Sequence, residues 1–153
     1  MLDYKKFVKD CLNEEIIKRI GDVDIELFYI SSPETLYYFF PLIEKTTIEI
    51  LKMFTFTDIE CYEQGKFKTM YSIICNDVNK DLFEKRVLDA LKYYYCENGL
   101  RNLLMHYKNV NELKIPDKEI EEIKDIFCIL LYEYNVLSQF VKEQSVKKIE
   151  YIK

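Results

Sequence analysis

The stretch Pro116-Asp117-Lys118-Glu119-Ile120-Glu121-Glu122-Ile123, continuing unbroken to Val141, decides the fold class. Ile120, Ile123, Phe127, Leu130, Tyr134, Leu137 and Val141 alternate by three and four residues, the heptad seam of a long helix. Pro116 opens it, and Asp117, Glu119, Glu121 and Glu122 follow in the first turns, where the helix dipole favours acids. One use of such a seam is packing onto the chain's own core; another is pairing with a second subunit. The tail Val146 to Lys153 carries no strong assignment.

Upstream, the same period recurs. Tyr4, Phe7, Val8, Cys11, Leu12, Ile16 and Ile20 predict one amphipathic helix over Leu2 to Ile20, ended at Gly21-Asp22. Ile25 to Ile30 reads as a connector. Ser31-Ser32-Pro33-Glu34 is a helix start, with a hydroxyl cap and an early proline, and the helix should run to about Phe54. Pro41 inside it predicts a kink or a fresh start. Thr55 to Gly65 reads as a loop. Lys66 to Cys75 has short helical spacing, and Asn76 to Lys80 reads as a turn. Asp81 is expected to cap a helix that buries Phe83, Val87, Leu88, Leu91 and Tyr95. Glu97-Asn98-Gly99 breaks that helix, with Gly99 as a left-handed stop. Leu100 to Tyr107 resumes as helix, and Asn109 to Ile115 is a loop. These elements give an all-α bundle of about five helices, a single domain over residues 1–153. With only 3 Gly and 3 Pro, strands joined by hairpins are not expected.

Composition excludes several function classes. At 49% hydrophobic residues the chain can bury a sizeable core. The net charge of −5 argues against a histone-like polyanion binder but leaves room for a small basic site. The first residues are charged, so no signal peptide is expected, and apolar runs such as Phe39-Phe40-Pro41-Leu42-Ile43 are far too short to span a bilayer. Cys11, Cys61, Cys75, Cys96 and Cys128 are odd in number and scattered, without metal-ligand spacing. They read as buried free thiols of a cytoplasmic protein. No metal and no cofactor are expected.

Chemistry concentrates in Gly99-Leu100-Arg101-Asn102-Leu103-Leu104-Met105-His106-Tyr107, which holds the only histidine. Asn102 and His106 are four apart and share a helix face, while Arg101 projects about 100° to one side of Asn102. Histidine can give or take a proton near neutral pH. Arginine offers a fork of donors to phosphate oxygens, and asparagine can orient an imidazole or a substrate oxygen. That set suits cleavage of an RNA phosphodiester by its own 2′-hydroxyl. His106 would move the proton, Arg101 would stabilise charge on phosphorus and Asn102 would position. One histidine per chain serves an acid and a base only if a two-fold dimer brings two motifs together. The opposing reading is a surface arginine and a histidine satisfied at the core edge.

Leu100-Arg101-Asn102-Leu103-Leu104-Met105-His106 resembles the signature of the HEPN superfamily: Arg, a polar residue, then His. Pro41-Leu42-Ile43-Glu44-Lys45, Lys68-Thr69-Met70 and the Gly-Leu-Arg-Asn approach are similar to a HEPN-like module of larger bacterial proteins, so the likeness runs over about residues 30 to 145. The resemblance implies an all-α homodimer with two signatures facing one cleft. It also implies a metal-independent endoribonuclease of toxin or anti-phage defence type, with RNA as substrate and a cognate antitoxin or neighbouring-gene protein as a further partner. Arg101, Asn102 and His106 would be the catalytic residues. Tyr107 and Lys108 would contact substrate, Tyr107 by stacking on a base. HEPN toxins paired with a nucleotidyltransferase antitoxin often carry Tyr two places after the His; here Tyr107 is one place after and Lys108 two. A catalytically silent module that binds RNA, a nucleotide or a protein through the same cleft is the alternative, and a purely structural dimerisation domain a third. Of Tyr93-Tyr94-Tyr95, one or two could face the site as a stacking platform, and Lys92, Lys108 and Lys114 could steer phosphates.

Overall fold

The computed structural model of the chain describes residues 3–55, 62–63, 66–67, 70–75, 82–106 and 112–152, with the backbone alone at 54–55, 62–63, 66–67 and 145–152. The architecture is all-α. The elements are α1 (Tyr4–Cys11), α2 (Glu14–Ile20), α3 (Leu36–Thr55), β1 (Tyr62–Glu63), β2 (Lys66–Phe67), α4 (Met70–Cys75), α5 (Lys85–Tyr95), α6 (Leu100–His106) and α7 (Asp117–Ile152). Seven α-helices among the described residues replace the expected five or so. No helix is long and apolar enough to cross a membrane among the described residues.

α7 is 36 residues long, about 54 Å at 1.5 Å per residue. Its seam is spent inside the chain. Ile120, Ile123, Phe127, Leu130 and Tyr134 are buried, and α7 packs most extensively on α3. The seam surfaces only at its end, where Val141 is exposed. α1 and α5 flank α7, α2 lies on α3, and α4 and α6 lie on α5. An aromatic stack ties the layers. The Phe28 ring lies 4.8 Å from Tyr4 of α1, 4.9 Å from Phe39 of α3 and 6.2 Å from Phe127 of α7. The tail that carried no assignment continues α7 to Ile152.

Several boundaries differ from the sequence expectation, each for a local reason. The single helix over Leu2 to Ile20 is two. Leu12 is extended, and the Asn13 side chain accepts from the Ile16 N–H at 2.9 Å, capping α2 with Glu14 and Glu15 in its first turn. Gly21 ends α2 at φ 91°, a conformation that glycine adopts without steric cost. The connector at Ile25 is a 3-10 turn, Ile25–Tyr29, capped by Asp24. Ser32 and Pro33 open a second 3-10 turn that leads into α3. α3 runs through Pro41 without a break in assignment. Pro41 lies on the exposed face of α3.

The short antiparallel pair of β1 with β2 was not expected; Tyr62 pairs with Phe67 and Glu63 with Lys66. It takes residues from the predicted Lys66 to Cys75 helix, which starts only at Met70. α5 is capped at Glu84, with no side-chain bond, and Phe83 is buried ahead of it. Asp81, the expected cap, and the turn at 76–80 lie outside the described residues, as do most of the 55–65 loop and residues 109–111. Gly99 is not a left-handed stop. It is required because a Cβ there would sit 2.5 Å from the Tyr94 carbonyl oxygen. Cys11 and Cys128 are buried free thiols, but Cys75 is exposed and Cys96 half-buried; Cys61 lies outside the described residues. Burial pushes the Cys128 thiol well above its ordinary range.

Candidate functional site

α6 is a short helix held by four attachments. Leu104 is its buried residue. Tyr37 of α3 donates through Oη to the Leu104 carbonyl at 3.0 Å. Arg101 donates through Nη2 to Glu44 Oε1 of α3 at 3.1 Å. Asn102 Nδ2 donates to the carbonyls of Glu97 at 3.1 Å and Cys96 at 3.4 Å. These contacts lock the α5–α6 turn and fix the helix by its polar residues as much as by its apolar one.

The three signature residues therefore have different fates. Arg101 bends to α3 rather than round to His106, from which it is separated by about 140° around the helix axis. Its side chain is 31% exposed, and the Glu44 pair leaves most of a guanidinium's five N–H donors uncommitted among the described residues. Asn102 shares a face with His106 but spends its amide on the turn. His106 ends α6, is exposed, and has no hydrogen bond or ion pair among the described residues. Tyr107 and Lys108, the expected substrate contacts, lie outside the described residues.

Glu44 is the residue the sequence reading missed. Burial pushes its carboxyl above the ordinary range, and the Arg101 guanidinium opposes that rise. The Tyr95 phenol, which donates to the Phe40 carbonyl at 3.3 Å, is pushed far up by burial and then by the Glu44 charge. Only the Pro41 to Lys45 segment, singled out for its likeness, pointed to this part of α3.

Of the three consecutive tyrosines, Tyr94 and Tyr95 are buried, and Tyr93 is 62% exposed. Tyr93 donates to Glu119 Oε1 of α7 at 3.2 Å, and the Glu119 charge raises its phenol. A cavity of about 270 Å³ opens beside it, lined by Leu100 and Leu103 of α6 and by Leu113, Lys114 and Ile115 of the approach to α7. Lys114 is exposed and Lys92 is half-buried. Among the described residues no group of three His, Cys, Asp or Glu is placed to hold a metal ion.

Met105, 61% exposed, and Leu103, 38% exposed, flank the Asn102–His106 face, so the outward side of α6 mixes apolar and polar groups. No family model, curated protein or solved structure matches the chain.

Proposed function

We propose that this protein is a HEPN-like, metal-independent endoribonuclease working as a homodimer, with His106 as its proton-transfer group. One observation carries the reading: His106 stands exposed, with no hydrogen-bond or ion-pair partner among the described residues, on the same seven-residue helix as a partly exposed Arg101. A histidine kept for packing is normally paired or buried. The all-α architecture and the resemblance of the Arg101-Asn102-His106 spacing add support; the toxin or anti-phage setting follows from the resemblance alone.

In this reading the ribose 2′-hydroxyl attacks the adjacent phosphorus. One His106 takes the hydroxyl proton. The His106 of a second copy gives a proton to the departing 5′-oxygen. The products are a 2′,3′-cyclic phosphate and a 5′-hydroxyl. Arg101 supplies donors to the charge that builds on the phosphoryl oxygens, and its Glu44 partner holds the guanidinium plane in place.

A mixed RNA pool incubated in EDTA tests this. Wild type should cleave it, leaving 2′,3′-cyclic ends, and His106→Ala should lose at least about a hundredfold in rate, the size of a general acid–base contribution. The second reading is a silent module that binds RNA, a nucleotide or a protein. It is favoured by the pairing of Arg101 with Glu44 and of Asn102 with the turn. Well-folded, dimeric wild type that binds RNA without cutting it would establish that reading instead.

A further inference from the structure

We propose that the cavity between Tyr93 and the start of α6 is a nucleobase subsite that seats one guanine of an RNA strand, stacked on Tyr93. The proposal rests on RNA being the ligand, but it needs no cleavage. The cavity, at about 270 Å³, lies just under the range of about 300–1,000 Å³ typical of small-molecule sites. It takes one base with its sugar.

Its floor is apolar, built from Leu100, Leu103, Leu113 and Ile115. Its wall is the Tyr93 ring, 62% exposed. That ring is held at both ends: the phenol binds Glu119 at 3.2 Å, and the ring sits edge-on to Tyr94 at 5.0 Å and 80°. An aromatic ring that is both exposed and immobilised is a stacking platform, because little rotamer entropy is lost when a base settles on it.

The rim sets the base. Glu119 lines the cavity and, after accepting from Tyr93, its carboxylate keeps free acceptor positions. Guanine presents two adjacent N–H donors, N1 and N2, on one edge and matches a carboxylate; uracil presents one. Lys114 stands at the mouth, exposed and without an ion pair among the described residues, where a phosphate would pass. Leu103 is three residues before His106 and its neighbour on the helix surface. A base seated over Leu103 carries its phosphodiester toward His106.

The test is a titration of ¹⁵N-labelled full chain with GMP, UMP and inorganic phosphate at matched pH and ionic strength. GMP should shift the amides of residues 98–103 and 113–115 more than UMP does, and inorganic phosphate should leave residues 98–103 still and move at most those around Lys114. Tyr93→Ala should weaken GMP binding about tenfold, within the range of base–aromatic stacking. Tyr93→Phe, which keeps the ring and loses the Glu119 bond, should weaken it less. Glu119→Gln should abolish the preference for GMP over UMP. No shift at these residues, equal shifts with inorganic phosphate, or unchanged affinity in Tyr93→Ala overturns the proposal. GMP binding without RNA cleavage would retain the subsite and defeat the nuclease reading; cleavage without GMP binding would do the reverse.

Discussion

Lys124 of α7 and Arg101 of α6 are cations on two helices of one bundle, and the protein treats them in opposite ways. Lys124, in the middle of α7, is fully buried. Its three ammonium hydrogens are all used: on the Phe28 carbonyl at 3.1 Å, the Ile30 carbonyl at 2.9 Å and Glu121 Oε1 at 3.2 Å. Arg101 is partly exposed and makes a single ion pair among the described residues. A charge taken out of water must have every donor satisfied, because the interior offers no replacement for hydration. Lys124 is thus committed to the fold, pinning the 3-10 turn at Phe28 to α7. Arg101 keeps donors in reserve. The same contrast holds on α6 itself, where Asn102 is tied to the turn and His106 is left facing solvent.

Breaking the committed side should cost most. Lys124→Ala takes the donor from the buried Phe28 carbonyl and the part-buried Ile30 carbonyl and opens a cavity, and urea denaturation should show a loss of about 3–5 kcal/mol, as for other broken buried charge networks. A loss below about 1 kcal/mol would place Lys124 outside the core. Asn102→Ala removes two part-exposed hydrogen bonds and should cost about 1 kcal/mol. The change should appear in hydrogen exchange as faster opening of α6 with α7 unaffected.

Glu133, also on α7, sharpens the comparison through pH. Its Oε2 is buried with no hydrogen-bond partner among the described residues, and burial, helped by the Glu84 charge, pushes the carboxyl up to about 7. The folded state therefore holds this proton more tightly than the unfolded chain does. Its contribution to stability is full below the ordinary carboxylate range and is lost as pH rises through about 7. Glu133→Gln should flatten the fall in stability between pH 5 and 8, seen by thermal melts across that window. A variant with the wild-type slope would assign the pH dependence elsewhere. The smallest effect on stability belongs to His106→Ala, the same substitution that should slow cleavage at least about a hundredfold. Its stability should stay within about 0.5 kcal/mol of wild type, as for surface positions without partners. A larger loss would mean that His106 holds the helix in place.

Much of the scaffold was legible because its signals are local. The three-and-four spacing from Ile120 to Tyr134 states which face of α7 is buried, and Gly21 and Ser32-Pro33 mark real boundaries. The break at Leu12 and Asn13 was hidden because the apolar spacing carries on in phase across it, from Cys11 and Leu12 to Ile16. Only the weaker signal of an Asn followed by two acids marked a new start. Lys124 had a signal too: four residues after Ile120 and one after Ile123, it stands on the buried stripe of its own helix.

The sequence by itself determined the helical class, the apolar face of α7 and the presence of Arg101, Asn102 and His106 on one short helix, because periodicity and capping act over a few residues. Only the tertiary structure decided what each of them does. The partner of Arg101 is 57 residues away on α3, the carbonyl that Tyr37 holds is 67 residues away on α6, and Lys124 reaches back 96 residues to Phe28. Such pairings are set by which polar groups must be satisfied once the helices have packed, and no spacing along the chain encodes them.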